Sequence, residues 1–165
     1  MLPRIALAAA LVVGFVFGAA AQNGVPIANF QYWDVHVLTS AQGRVCFVAS
    51  RPSDARTDPP GRARSEVLFM VTIGTNETYA QMGYPLAPDS EVLVTVDGGE
   101  AFTMFVNGEG AWLPSRVEDD LLVAAMRRGT EMVVRGRSAR GTNTTDTYSL
   151  RGITAALERA ARECA

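Results

Sequence analysis

Lysine is missing from this chain, and histidine and cysteine are scarce. The 165 residues contain one histidine and two cysteines, and all 15 basic residues are arginine. Without lysine, Schiff-base chemistry and the phosphate-binding lysine of a P-loop are excluded. One histidine and two cysteines are also too few for a four-ligand zinc site built from these residue types alone. We therefore expect neither a metal nor another cofactor.

A surplus of positive charge is also missing. The chain has 15 basic and 17 acidic residues, for a formal net charge of −2. Nucleic acid is not expected as a partner, because neutralising its phosphates requires a basic surplus. Apolar residues make up 48% of the chain, which excludes a disordered tail, and the length suits one domain.

The one long apolar run lies at the N-terminus. Arg4 precedes the apolar stretch from Ile5 to Phe17, and three alanines end at Ala21. This pattern predicts a cleaved signal peptide at residues 1–21 and a mature single β-rich domain at residues 22–165. The protein is then expected in the periplasm, or secreted or at the cell surface.

An uncleaved N-terminal anchor is the alternative for this leader. The stretch from Ile5 to Ala21 has 17 residues, which as a helix would span about 25 Å of a hydrocarbon core of about 30 Å. No later segment approaches 18 consecutive apolar residues. The mature form is therefore not expected to span a membrane.

The two cysteines are expected to form a disulfide. Export would bring Cys46 and Cys164 into an oxidising compartment, where they would close a loop of 118 positions. Two free buried cysteines are the alternative. The disulfide would attach the end of the chain to the second predicted strand.

Short strands separated by turn residues dominate the mature sequence. Trp33, Val35 and Val37 alternate with polar residues, as in a half-buried strand. The predicted strands are 30–39, 44–50, 66–73, 78–82, 91–96, 101–106, 111–113, 131–138 and 144–150. Residues 51–62 carry three prolines and are predicted to be a surface loop. The expected fold is mainly β: an antiparallel β-sandwich or small barrel with two short helices, including a C-terminal one.

Two segments have helical signals. Ser115 and Glu118 form a capping-box pattern, and Gly129 is placed as the C′ residue after two arginines. The second helix is predicted from the i, i+3, i+4, i+7 spacing of Ile153, Ala156, Leu157 and Ala160.

The chain has no recognisable catalytic motif. A Ser-His-Asp triad would need His36, and Asp34 would share its strand face, but no Gly-x-Ser-x-Gly elbow is present. A solvated polar strand face explains these two residues better. No catalytic residue is predicted, and we expect that the protein is not an enzyme.

One predicted hairpin carries an unusual density of polar residues. Its candidate patch consists of Arg135, Arg137, Arg140, Thr144, Thr145 and Asp146. One interpretation is a site that binds an anion or carboxylate through the arginine fork. The other, which we favour, is structural, with Arg140 paired to Asp146 across the turn.

The same hairpin carries a family resemblance. Residues 136–152, reading GRSARGTNTTDTYSLRG, are similar to the C-terminal signature of the invasion-associated locus B family. Supporting pieces across residues 30–164 are Trp33 ahead of Cys46, Met70-Val71-Thr72, Gly83-Tyr84-Pro85, Val96-Asp97-Gly98, Ala111-Trp112, Ala125-Met126 before Gly129, and the final Cys164. The resemblance implies an exported bacterial protein with a β-rich fold, and it implies no catalytic residues.

The expected function follows from the leader, the missing catalytic motifs and this resemblance. We expect a non-catalytic binding or interaction protein of the periplasm or cell surface, whose partner is an unknown envelope or host protein. The alternative is a small secreted enzyme of unknown chemistry.

Overall fold

A computed structural model describes residues 25–41 and 43–165 of the chain. The predicted signal peptide at residues 1–21 lies outside the described residues. Within the described part, no helix has the length and apolar character needed to cross a membrane.

Eleven strands form one antiparallel sheet, in the order β1-β2-β3-β5-β6-β9-β8-β7-β10-β11-β4. Their bounds are β1 Ala28–Phe30, β2 Trp33–Ser40, β3 Gly43–Ser50, β4 Asp54–Asp58, β5 Leu68–Thr72, β6 Thr78–Gln81, β7 Glu91–Val96, β8 Phe102–Asn107, β9 Gly110–Trp112, β10 Glu131–Arg137 and β11 Asn143–Ser149. The two helices are α1 Arg116–Arg128 and α2 Ile153–Glu163. The prediction of a mainly β fold with two helices is confirmed. The sheet is not closed, and β1 and β4 lie at its two ends.

The sheet curls around a single core. The Trp33 indole on β2 donates a hydrogen bond of 3.0 Å to the Ser149 carbonyl on β11, near the other end of the strand order. The rings of Phe69 on β5 and Tyr148 on β11 meet edge to face, with centroids 6.0 Å apart. Alternate residues of the strands therefore enclose one apolar interior.

Helix α1 begins as its capping box predicts. The Ser115 hydroxyl accepts the Glu118 backbone N–H at 3.3 Å and lies 3.1 Å from the Glu118 carboxylate, to which it donates. At the end of α1, Gly129 is extended, with φ −85°, and does not adopt the left-handed conformation that is common for a glycine at C′. A Cβ at Gly129 would overlap the Val96 side chain. Glycine is needed there for close packing against β7.

Helix α2 packs on β1, β2 and β3. Cys46 on β3 and Cys164 form a disulfide with their Cα atoms 6.0 Å apart, which confirms the predicted pairing. The disulfide and the packing hold the end of the chain against the sheet.

The prediction of a surface loop at residues 51–62 is wrong in part. Residues Asp54–Asp58 form the edge strand β4, which pairs antiparallel with β11. Nearly every residue of β4 is exposed, so the strand has no apolar alternation to reveal it. Proline has no N–H to donate to a β-ladder, but the prolines of this segment lie before and after the strand, so the pairing of β4 with β11 is not interrupted.

Candidate functional site

A polar cleft of about 620 Å³ lies at one end of the curled sheet. Three segments border it: the loop 61–65 between β4 and β5, the segment 83–85 after β6, and the β10–β11 hairpin around residues 138–144. Thr57 on β4 and Glu109 before β9 complete its lining. We call this feature the arginine cleft, after Arg62, Arg64 and Arg140 in its lining.

A buried ion pair forms the floor of the arginine cleft. Arg64 donates from Nη1 to Asp146 Oδ1 at 2.6 Å and from Nη2 to Asp146 Oδ2 at 2.7 Å. The same guanidinium donates to the Met82 carbonyl through Nε and Nη2, at 3.0 and 2.7 Å. The Arg64 side chain is 8% exposed and that of Asp146 0%. This fork-to-fork geometry keeps both charges satisfied out of water.

The environment of Arg64 keeps it charged. Burial alone would lower the pKa of its guanidinium, but the hydrogen bond and negative charge of Asp146 outweigh burial, so the pKa of Arg64 is raised. The buried pair therefore contributes no net charge to the cleft.

Tyr84 forms a wall above this floor. Its ring centroid lies 5.1 Å from the Arg64 guanidinium carbon, a cation–π contact. Its hydroxyl shares a hydrogen bond of 2.6 Å with Thr144 Oγ1, and burial raises the pKa of Tyr84. A Cβ at Gly136 would lie 3.1 Å from the Tyr84 hydroxyl oxygen. The glycine in β10 therefore makes room for this tyrosine.

The tip of the β10–β11 hairpin is held in place by hydrogen bonds from its backbone N–H groups. The Ser138 N–H donates to the Thr142 carbonyl at 2.9 Å, and the Ser138 hydroxyl accepts the Thr142 N–H at 3.0 Å. The Ala139 N–H donates to the Pro85 carbonyl at 2.9 Å, which joins the hairpin to the neighbouring wall. These bonds position Arg140 in the cleft.

Arg62 and Arg140 are the exposed cations of the cleft. Neither forms an ion pair with any residue in the described ranges 25–41 and 43–165. Thr57 Oγ1 accepts the Arg62 backbone N–H at 3.2 Å, which anchors that loop to β4. Glu109, the acidic residue of the lining, accepts hydrogen bonds from Gln81 at 3.1 Å and Ser65 at 3.4 Å. Two guanidinium groups thus remain available to a ligand.

The candidate patch of the hairpin is divided between two faces of the sheet. Thr144 and Asp146 on β11 are buried, whereas Arg135 and Arg137 on β10 are exposed, and Thr145 is half-buried opposite Arg135. Of the patch, only Arg140 and Thr144 line the arginine cleft. Strand alternation explains the division, because neighbouring side chains point to opposite faces.

The predicted ion pair between Arg140 and Asp146 is wrong. Asp146 points into the interior from β11 and is bound by Arg64, from the loop before β5. Arg140 lies at the exposed tip of the hairpin, on the solvent side of that interior. The prediction chose the arginine that is near in sequence, whereas the buried partner lies 82 positions away.

Sequence reasoning did not identify Arg62 and Arg64 as site residues. They lie in a loop, where no periodicity predicts which way a side chain points. Two arginines two positions apart, in a segment otherwise made of glycine, alanine and serine, are the signal that could have drawn attention to them. Tyr84 contributes to the sequence resemblance only as part of the motif Gly83-Tyr84-Pro85.

His36 and Asp34 do share one strand face, as predicted, on the outer side of the sheet. The His36 ring stacks on Phe47 at 4.7 Å, and Asp34 accepts a hydrogen bond of 2.8 Å from the Asn29 amide. Both lie in a separate, largely apolar groove of about 550 Å³.

Comparison with known proteins agrees with this architecture. A crystal structure of the invasion associated protein b from Bartonella henselae superposes with a TM-score of 0.61 and 17% sequence identity, covering 82% of this chain and 95% of that one. This likeness concerns the fold. No protein in a search of curated sequences was similar enough to count as a match.

A family model described as "Invasion associated locus B (IalB) protein" matches residues 33–161. The matched range contains every residue that lines the arginine cleft, and two of the three bordering segments are motifs that carry the sequence resemblance. The chain belongs to the invasion-associated locus B family.

Proposed function

We propose that this protein is exported and acts, without catalysing a reaction, as a binding protein of the periplasm or cell surface. Its contact site is the arginine cleft, and its partner is an envelope or host protein that presents acidic groups. The leader sequence, the disulfide and the family membership support export.

One observation supports the binding role. Arg62 and Arg140 are exposed, and both line a cleft whose walls are already fixed. The buried pair of Arg64 and Asp146 and the bond between Tyr84 and Thr144 hold those walls. Walls that are already fixed need no ordering when a partner binds, which lowers the entropic cost of binding. Arginine also suits this role because its planar fork recognises carboxylates and phosphates through paired hydrogen bonds.

Charge reversal in the cleft tests the proposal. The immobilised protein and its Arg62→Glu/Arg140→Glu variant are used to capture envelope proteins of the source bacterium, with quantitative mass spectrometry as the measurement. The expected result is a partner set that the variant loses, most visibly at low salt, where charge is least screened.

Arg151→Glu is the matched control, because Arg151 is exposed and lies outside the cleft. It should retain the partner set, and all variants should keep the melting temperature of the parent protein. Equal capture by the parent and the double variant, or equal loss in the control, would contradict the cleft as the contact site.

A further inference from the structure

We propose that the arginine cleft is a binding site for a phosphate monoester, held between Arg62 and Arg140. The inference rests on the proposed function in one respect, the use of the same cleft. It adds the chemical class of the ligand, and it holds or fails without reference to a protein partner.

The charge of the two exposed arginines favours an anion with two charges. Arg64 is neutralised by Asp146 beneath the cleft. Glu109 also lines the cleft, where it adds one negative charge and accepts hydrogen bonds from Gln81 and from Ser65 of the loop 61–65. The guanidinium groups of Arg62 and Arg140 carry a combined charge of +2 and form no ion pair among the residues that the structure describes, so the cleft has a net charge of +1 when Glu109 is counted. A phosphate monoester carries about −1.5 to −2 at neutral pH, and thus matches this pair better than a single carboxylate does.

The hydrogen-bonding groups of the cleft favour the same ligand. Arg62 and Arg140 each offer a planar fork of N–H donors, and two forks can bind different oxygens of one phosphate. The hydroxyls of Thr57 and Thr142, which also line the cleft, add neutral donors. Both oxygens of Asp146 accept hydrogen bonds from Arg64, and Oε2 of Glu109 accepts those of Gln81 and Ser65. This side of the cleft therefore has mostly donors, and a phosphate group has only acceptors.

The size of the cleft indicates that the phosphate is part of a larger molecule. Its volume of about 620 Å³ lies within the range of sites that hold small molecules. The Tyr84 ring and Pro85 provide an apolar wall for the organic part. The ligand class is a small phosphate monoester or the phosphate of a lipid headgroup, which share this chemistry.

Titration of the disulfide-bonded protein with inorganic phosphate tests the shared chemistry, with amide chemical shifts or heat as the measurement. We expect saturable binding that Arg62→Gln and Arg140→Gln each weaken about tenfold or more, as the loss of charged hydrogen bonds predicts. Arg151→Gln, outside the cleft, should bind as the parent protein does. Acetate at equal ionic strength should bind more weakly than phosphate.

The dependence on pH adds a second measurement. A phosphate monoester gains its second charge near about pH 6, while arginine stays protonated. The affinity for glucose 6-phosphate, a phosphate monoester, should therefore rise between about pH 5 and about pH 7.5. A pH-independent affinity would show that the site does not distinguish the dianion from the monoanion and would overturn the assignment.

Two further probes distinguish the sources: glucose 6-phosphate, and vesicles of equal parts phosphatidic acid and phosphatidylcholine. Arginine-dependent binding of the sugar phosphate identifies a small molecule, and binding of the vesicles alone identifies a headgroup. Absence of saturable phosphate binding, or equal loss in the Arg151 control, would overturn the inference. If phosphate does not bind but arginine-dependent protein capture persists, the proposed function stands and the phosphate site is wrong. If phosphate binds but no protein is captured, the phosphate site stands and the proposed function is wrong.

Discussion

Asp146 has no exposed side-chain surface, and at the residue scale its environment depends on Arg64. Removing a carboxylate from water costs several kcal/mol, which the bidentate hydrogen bonds offset only while both partners are present. The Arg64 guanidinium also donates a hydrogen bond to the Met82 carbonyl and makes a cation–π contact with the Tyr84 ring. The pair therefore holds together three regions: the loop before β5, the end of β6 and strand β11.

A double-mutant cycle should show that Asp146 is coupled to Arg64 and independent of Arg140. Asp146→Asn or Arg64→Gln should each lower the free energy of unfolding by about 3–5 kcal/mol, because each leaves a buried charge unpaired. Urea denaturation of the single and double variants measures the coupling, which we expect at about 1–3 kcal/mol.

Arg140→Gln is the control for this cycle. As a surface substitution it should change stability by no more than about 0.5 kcal/mol and should add independently to Asp146→Asn. Measurable coupling between Arg140 and Asp146, with none between Arg64 and Asp146, would contradict the arrangement described above.

At the element scale, α1 has three consecutive acidic residues near its start, Glu118, Asp119 and Asp120. Acidic residues are common at helix N-termini, but two of these three join the helix to other elements. Asp119 is buried and accepts hydrogen bonds from the Thr78 N–H at 2.9 Å and the Thr78 hydroxyl at 2.6 Å. Asp120 accepts a hydrogen bond of 2.7 Å from the Asn76 amide. Of the three acidic residues, Glu118 completes the cap and the other two make tertiary contacts. Helix dipole effects alone do not account for them.

The start of α2 depends on close contact with β1. Gly152 has φ +95°, and a Cβ there would overlap the Phe30 carbonyl oxygen. Gly74 has φ +93° and open space around its Cα. The two glycines share a left-handed backbone and differ in their surroundings.

Gly152→Ala should therefore destabilise the protein more than Gly74→Ala. Both substitutions incur the left-handed cost, about 1–2 kcal/mol. Only Gly152→Ala must also displace backbone, which we expect to add about 1–3 kcal/mol. Thermal unfolding of the two variants measures the difference, and equal effects would show that α2 does not rest tightly on β1.

At the scale of the whole molecule, the disulfide joins the last residues to the third strand across 118 positions. The strands β1–β3 and helix α2 form one side of the core, and β4 is the edge strand at the other end of the sheet. The covalent bond restricts the unfolded chain over most of its length. By the chain-entropy model, a loop of this length gives up to about 5 kcal/mol of stabilisation.

The Cys46→Ala/Cys164→Ala variant should unfold at a lower denaturant concentration, with a loss of up to about 5 kcal/mol. Adding a reducing agent to the parent protein should produce a similar loss and leave the variant unchanged. Reduction that leaves the parent's stability unaltered would show that the disulfide contributes little.

Local features of the sequence determined the secondary structure and one long-range contact. Alternation of apolar residues identified most strands, since a half-buried strand must place every second side chain inside. The spacing of Ser115 and Glu118 placed the start of α1, because capping involves only residues within one turn. The disulfide between Cys46 and Cys164 was predictable because no other cysteine is available.

The tertiary structure alone decided the rest. Strand β4 is exposed, so its pairing with β11 leaves no apolar pattern in the sequence. The partner of Asp146 depends on which loop the curled sheet brings close to β11. That loop carries Arg64, which binds Asp146 although Arg140 is much nearer in the sequence. The arginine cleft likewise exists only where segments distant in sequence meet. Sequence patterns report neighbours along the chain, whereas ion pairs and clefts depend on distances through the folded molecule.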